Sequence, residues 1–342
     1  MAFEFKSKLP TAEEIQEEIP LSKELKEVKK QCDKRIQDVF LRKVNKFILV
    51  IGPCSAHDEN AVVEYNTRLA KVQDKVKERV VLVPRIYTNK PRTTGAGYKG
   101  MVHQPNPHEK PNILEGLKAI RHMHIRSLSE SHLSSADEML YPDNTPYLDD
   151  ILSYVAIGAR SVENQQHRLT ASGMDIPVGM KNPTSGDMDV MLNSVHAAQI
   201  PQDFIYYGWE VRTKGNPLAH CILRGAFNQY GQCIPNYYFE DIITLSEKYI
   251  ERKLKNPTIL VDTNHANSNK KYKEQFRIAM DVMKSRKQSE IIRDMVRGLM
   301  IESFIVEGSQ DPSGNVYGQS ITDPCLGWED TEKLIYQIAD AV

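Results

Sequence analysis

The chain has 342 residues, 40% of them apolar and 26% charged, with a formal net charge of -1. These proportions fit a globular protein with a large core and exclude a disordered or collagen-like chain; apolar runs such as "FILVI" are too short to span a bilayer. The near-zero charge excludes a global field for nucleic acid or acidic lipid, so any anion site must be a local cluster of Lys and Arg.

The cysteines, Cys32, Cys54, Cys221, Cys233 and Cys325, are odd in number and scattered, and no C-x-x-C occurs. That predicts a reducing compartment. The N-terminus lacks the apolar core of a signal peptide, so a cytoplasmic protein is expected.

Leu21, Leu25, Val28, Ile36, Val39 and Phe40 recur at helical spacing and predict an N-terminal helical extension over residues 1–46. From 47 to 342 short β-rich runs alternate with amphipathic segments. The runs are "FILVIGPCS" (47–55), "VVLVPRIY" (80–87), "SSADEML" (134–140), "AIGARSV" (156–162), "IPVGMKN" (176–182), "DFIYYG" (203–208), "TILVDTNHA" (258–266) and "GLMIESF" (298–304). Helical patterns fall at 58–72, at 146–155 (Leu148, Ile151, Leu152, Val155) and at 239–250. Eight β runs separated by helices predict a (β/α)8 TIM barrel over 47–342, with an open doubly wound sheet as the rival. Turn residues Lys214 to Pro217 and a further β-like run, "HCILRG", predict an inserted hairpin between the sixth and seventh barrel strands.

The β runs end in polar or reactive residues: Cys54, Arg85, Glu138, Arg160, Lys181, a polar stretch after Tyr207, His265 and Glu302. In a barrel those ends open on one face, where the site lies. Arg85, Lys90, Arg92, Arg160, Lys181 and Arg224 would then share a pocket that only a highly anionic substrate would fill, since guanidinium forks and ammonium groups match phosphate and carboxylate oxygens. Cys54, His265, Glu302 and Asp323 are a donor set suited to a divalent transition metal. Plainer readings stay open. Strand ends are where polarity begins, Cys54 could be a packed core cysteine, and His265 a satisfied core histidine or half of a Cys–His nucleophilic pair.

The ordered set "IGPCS", "KPRTT", "GARS", "HRLTASG", "PVGMKN", "LRG", "HAN", "IES" and "SITDPCLGWEDT" resembles the metal-dependent type I branch of the 3-deoxy-D-arabino-heptulosonate 7-phosphate (DAHP) synthases, from about Phe47 to the C-terminus. The resemblance implies a transferase on a (β/α)8 barrel. It would condense phosphoenolpyruvate with erythrose 4-phosphate and water, releasing phosphate, at the first step of the shikimate pathway. It implies Cys54, His265, Glu302 and Asp323 as metal ligands, for manganese, iron, cobalt or zinc. It implies Arg85, Lys90, Arg160, Lys181 and Arg224 on phosphoenolpyruvate and Arg92 with Thr93 on the sugar phosphate, with Asp323 also at the substrate. Lys90 is the expected proton donor to the nascent alkoxide and Glu138 the candidate base for water, with His265 counted among the catalytic groups. A homo-oligomer, dimer or tetramer, and an aromatic amino acid inhibitor are implied too. Rival readings are a related phosphoenolpyruvate-dependent sugar-acid synthase and a non-catalytic barrel. The chain departs from the family pattern at Asp137, usually glycine, and at Tyr141, often aspartate. Both changes are expected to bear on inhibitor sensing and to leave the chemistry untouched.

Overall fold

A computed structural model describes residues 2–342. Eight strands form one parallel sheet: β1 (Phe47–Gly52), β2 (Val80–Pro84), β3 (Ala136–Glu138), β4 (Tyr154–Ile157), β5 (Val178–Lys181), β6 (His220–Leu223), β7 (Ile259–Asp262) and β8 (Val296–Glu302). Their order is β2-β1-β8-β7-β6-β5-β4-β3, and a single bridge, Arg85 to Ala136, joins the two ends and closes the barrel.

Parallel strands covered on both faces are expected to be short and continuously apolar. In β1 and β8 every residue is buried. Ile48, Val50, Val81, Val83, Ala136, Tyr154, Ala156, Ile222, Leu260 and Met300 fill the barrel interior, while Phe47, Leu49, Ile51 and their counterparts pack outward against helices. Side-chain alternation thus sets which residues face the barrel interior and which face the helices.

Two helices precede the barrel, α1 (Ala12–Glu18) and α2 (Lys23–Phe40). Thr11 and Glu14 form a capping box at the start of α1, and the Ser22 side chain accepts from Leu25 N at the start of α2. Ile36, Val39 and Phe40 of α2 join the interior cluster, with the Phe40 ring centroid 4.6 Å from that of His220. The helix therefore stoppers the N-terminal mouth of the barrel. The outer layer includes α3 (Glu59–Val76), α4 (Ile113–Ser131), α5 (Gln165–Ser172), α6 (Met188–Gln199), α7 (Phe239–Glu251), α8 (Glu274–Gln288), the short α9 (Glu290–Met295) and α10 (Trp328–Ala341).

Two details differ from the sequence expectation. The run at 203–208 is not a barrel strand: Asp203–Tyr206 pairs with Trp209–Arg212 in an antiparallel hairpin that precedes the sixth strand. Its aromatics give strand propensity, but its residues alternate between exposed and half-buried, as a two-stranded ribbon requires. The sixth barrel strand is His220–Leu223, buried throughout, which the sequence reading had placed in the insertion. A smaller hairpin, Ala226–Phe227 with Cys233–Ile234, does lie between the sixth and seventh strands. The helix expected over 146–155 is instead a 3-10 turn at Pro142–Tyr147 leading into β4. Pro146 has no N–H for a longer α-helix, and Tyr154 and Val155 are already in the sheet.

Candidate active site

With the sixth strand reassigned, all eight strand ends carry a polar group toward one face. Cys54 follows β1, Arg85 follows β2, Glu138 ends β3, Arg160 follows β4, Lys181 ends β5, Arg224 follows β6, Asp262 ends β7 and Glu302 ends β8. A cavity of about 190 Å³ lies at this face, lined by Cys54, Arg85, Lys90, Arg92, Glu138 and Arg160 and, across from them, Lys181, Arg224, His265, Lys270 and Asp323. Glu302 is buried directly beneath, placed by the register that sets it beside Gly52, two residues before Cys54. Thr93 is the exception among the expected residues: it is exposed on its loop and does not line the cavity. Glu138 Oε1 lies over Gly158, where a Cβ would sit 2.3 Å away, so a larger residue there would displace the carboxylate from its present position. His265 holds a left-handed backbone, φ +50°, a conformation that costs energy in a non-glycine residue and concentrates at functional sites.

The six expected cations do converge, but three bring carboxylate partners. Arg85 Nη2 is 2.8 Å from Glu302 Oε1, Lys90 Nζ is 3.0 Å from Asp323 Oδ2, and Lys181 Nζ is 2.9 Å from Asp262 Oδ2. Lys90 also donates to Cys54 Sγ at 2.7 Å, and Arg85 lies over the Tyr87 ring, 3.8 Å from its centroid. Arg92, Arg160 and Arg224 have no carboxylate partner among the described residues. Buried donors are left over as well: Arg85 Nε and Nη1 and Arg224 Nη1 meet no acceptor among the described residues. Buried donors without partners are costly, so these three atoms mark where an anion fits.

Burial pushes the Asp262 carboxyl up, but His265 and Lys181 outweigh it and hold the group well below the usual carboxylate range. Burial likewise opposes ionisation of Asp323, and Lys90 and Lys270 overcome it. Burial lowers Lys90 while Cys54 and Asp323 raise it further, so the ammonium stays protonated. Burial, reinforced by Glu302, pushes the Cys54 thiol up to about 11. Burial depresses His265, which favours the neutral ring.

The four expected metal donors fall into two pairs. Cys54 Sγ is 3.5 Å from Asp323 Oδ2, and His265 Nε2 is 3.8 Å from Glu302 Oε1. Bonds of about 2.0–2.3 Å in a tetrahedral shell put neighbouring donors roughly 3.3–3.8 Å apart, so each pair has the span of a shared coordination edge. Among the described residues no three such side chains yet converge on one point. Glu302 Oε1, fully buried, has the Arg85 ion pair but no hydrogen bond of good geometry among the described residues, so it keeps lone-pair capacity for a cation. His265 Nδ1 lies 2.9 Å from Asp262 Oδ2. That leaves Nε2 facing Glu302, in the arrangement by which an outer carboxylate orients a ligating histidine. The donor set and its outer partners fit a divalent ion.

Asp262, Lys270 and Asn264 were missed in the sequence. Asp262 was legible as the last residue of "ILVD"; Asn264, whose side chain donates to Glu302, stands inside the "HAN" run's approach, "TNHAN". Lys270 Nζ, 3.1 Å from Asp323 Oδ1, carries no sequence signal.

A closed parallel barrel with a cation-lined, carboxylate-floored cavity at its C-terminal face defines an α/β-barrel enzyme acting on phosphorylated or carboxylated small molecules. The family profile described as "DAHP synthetase I family" matches residues 21–335, and the chain belongs to that family. It is 38% identical to a phospho-2-dehydro-3-deoxyheptonate aldolase of Haemophilus influenzae, over 95% of this chain and 89% of that one. It is 36% identical to the Phe-sensitive enzyme of that name from Escherichia coli, over 99% and 95%. The solved phospho-2-dehydro-3-deoxyheptonate aldolase of Francisella tularensis superposes with a TM-score of 0.92 at 32% identity, covering 99% of this chain and 98% of that one.

Proposed function

We propose that this chain condenses phosphoenolpyruvate with D-erythrose 4-phosphate and water to give DAHP and inorganic phosphate, the entry step of aromatic amino acid biosynthesis. Family membership supports the reaction, and one observation carries it to this site: three buried guanidinium nitrogens without acceptors, on Arg85 and Arg224, face one cavity. Arg85, Arg160, Lys181 and Arg224 hold phosphoenolpyruvate, while Arg92, with Thr93 beside it on the loop, holds the sugar phosphate. Their joint grip places C3 of the enol ether against the aldehyde carbon, and such positioning contributes about 7–11 kcal/mol.

Lys90 has the clearest chemical role. As C3 bonds to the aldehyde carbon, the aldehyde oxygen gains electron density and takes a proton from the Lys90 ammonium. Water adds at C2 and gives up its proton to Glu138. The hemiketal phosphate then breaks its C2–O bond, phosphate leaves with that electron pair, and the C2 hydroxyl gives its proton to the departing phosphate as the ketone forms, while the proton held by Glu138 returns through solvent to the Lys90 amine. Cys54, His265, Glu302 and Asp323 are proposed to hold a divalent ion, manganese, iron, cobalt or zinc, which supplies Lewis acidity at the aldehyde oxygen. Asp262 and Asn264 orient His265 and Glu302.

We place the catalytic unit at 47–342 with 1–46 as its helical closure, in the cytoplasm; among the described residues no helix is long and apolar enough to cross a membrane. Relatives named Phe-, Tyr- and Trp-sensitive support feedback by an aromatic amino acid. A second cavity, of about 620 Å³, offers Phe204 and Tyr206 for a ring and Asp149 and Lys214 for a zwitterion. Exposed Ile205 and Trp209 on the hairpin support a homo-oligomer, dimer or tetramer.

The test is phosphate release from phosphoenolpyruvate with erythrose 4-phosphate or a five-carbon aldose phosphate, before and after chelation. Release that needs the four-carbon sugar and is restored by a divalent ion is expected. Release only with the longer sugar identifies a sugar-acid synthase, and none with either identifies a non-catalytic barrel.

A further inference from the structure

The barrel is weakest where it closes. Between β2 and β3 the backbone makes one bridge, Arg85 to Ala136, with Ile86 N donating to Ala136 O at 2.9 Å, and no further ladder. One residue on, a side chain takes over. Asp137 Oδ1 accepts from Thr88 N at 2.9 Å and from Glu138 N at 2.7 Å, and Asp137 Oδ2 accepts from the Thr88 hydroxyl. Asp137 is 3% exposed and Thr88 fully buried. His124 Nε2 stands 3.6 Å from Asp137 Oδ2.

Thr88 is the neck of the loop that carries Lys90 and Arg92. Val102 N donates back to Thr88 O at 3.4 Å and Lys90 N to Lys99 O at 3.0 Å, so the loop leaves and returns at one point. Gly100 permits this closure: its φ is +100°, and a Cβ there would lie 2.4 Å from Thr88 O. Beyond the neck, Arg92 is braced within the loop through Tyr98 O at 2.8 Å, and Lys90 reaches across to Cys54 and Asp323. The neck's tie to β3 is therefore the Asp137 carboxylate, which continues the hydrogen-bonding that the strands stop making. Asp137, expected to leave the chemistry untouched, holds the neck of the loop that carries Lys90 and Arg92.

We propose that Asp137 is a positioning residue, a carboxylate clamp that fixes the Thr88–Val102 loop to β3 and thereby sets Lys90 and Arg92 for the reaction. The inference rests on the functional reading above. Arg92 depends on the loop alone, whereas phosphoenolpyruvate keeps Arg85, Arg160, Lys181 and Arg224 from other strand ends. Loosening the clamp should therefore weaken erythrose 4-phosphate more than phosphoenolpyruvate.

The experiment compares Asp137→Ala, Asp137→Asn and Thr88→Val with the parent, in steady-state kinetics for each substrate and by hydrogen exchange of the 88–102 segment. Losing hydrogen bonds to a charged acceptor should raise KM for erythrose 4-phosphate roughly tenfold in Asp137→Ala and about threefold in Thr88→Val. KM for phosphoenolpyruvate should move by less than about twofold, because most of its contacts lie off the loop. Exchange in 88–102 should accelerate while β8 stays protected. Asp137→Asn keeps Oδ1 and donates from Nδ2 to the Thr88 oxygen, so it should restore most of the parent behaviour. A lowered Tm with unchanged KM values and unchanged loop exchange would overturn the clamp, as would equal rises in both KM values. Thr88→Val keeps volume and charge, and it carries the test if Asp137→Ala does not fold. An inactive parent would remove the functional reading, while loop exchange in the variants would still decide the clamp.

Discussion

Asp262→Asn isolates the floor of the site. Asp262 is fully buried and faces Lys181 Nζ and His265 Nδ1, each at 2.9 Å. The amide keeps the shape and removes the charge, so the Lys181 ammonium is left buried without a counter-ion. Breaking a buried pair this way costs about 3–5 kcal/mol. At about 2.1 cal/mol/K per residue, 342 residues give an unfolding entropy near 0.7 kcal/mol/K, and the melting temperature should drop by about 4–7 °C. A second effect has the opposite sign. Phosphoenolpyruvate brings anionic groups that can stand in for the lost carboxylate, so it should raise the Tm of the variant by more than it raises that of the parent. Metal affinity should fall by about 10–100-fold, since His265 loses the carboxylate charge that orients it and raises its basicity. Differential scanning fluorimetry with and without phosphoenolpyruvate, and competition with a metal indicator, read all three. A Tm within about 1 °C of the parent, with equal stabilisation by phosphoenolpyruvate, would refute the pairing of Lys181 with Asp262 as a source of stability.

Arg92→Ala should weaken erythrose 4-phosphate and Arg160→Ala phosphoenolpyruvate, each by about 1.5–3 kcal/mol in kcat/KM for its own substrate; equal effects on both substrates in both variants would contradict the division. Phe40→Ala should cost about 3–5 kcal/mol, seen as a lower urea midpoint, because its ring is 1% exposed within the barrel interior. His220 is fully buried, and burial lowers its pKa from 6.5 to about 4. Its unfolded form binds a proton that the folded form refuses, so stability should fall as pH drops from about 6.5 to 4, by about 3 kcal/mol in all, and level off below that. Chemical denaturation across that range, compared with His220→Gln, checks it: the variant should show a shallower slope.

The outer logic of the barrel was legible because buried parallel strands are continuous apolar runs, and "FILVI", "VVLVP" and "GLMIE" announce themselves. The sixth strand was hidden by its own composition. "HCIL" begins with a histidine that is neutral and buried, hydrogen-bonded to Tyr154 at 2.8 Å, while "DFIYYG" looks more like a strand because exposed ribbons favour aromatics. The cations and the proposed metal donors were suggested by the family motifs, as residue types at or after strand ends, and the fold brings them to one face. Their pairing was not. Lys181 meets Asp262 across 81 residues of sequence and Lys90 meets Asp323 across 233, distances over which no local periodicity speaks. The role of Asp137 lies wholly in the third dimension, since the gap it bridges exists only where β2 and β3 meet to close the barrel.

The stopper at the barrel mouth has a consequence for biosynthesis. Phe40 is made long before Leu260 and Met300 of the last two strands, which belong to the same interior cluster. At about 5–20 residues per second, the 260 residues between Phe40 and Met300 take roughly 13–50 s to make. For that interval the stripe of Ile36, Val39 and Phe40 has no finished socket and stands open to chaperones or to neighbouring nascent chains. Ribosome-bound chains halted before Val296 should therefore be cleaved readily within 23–40 by protease, and chains released past Glu302 should resist. The α2 helix is made well before its socket is complete, and translation speed rather than helix propensity governs how long it waits.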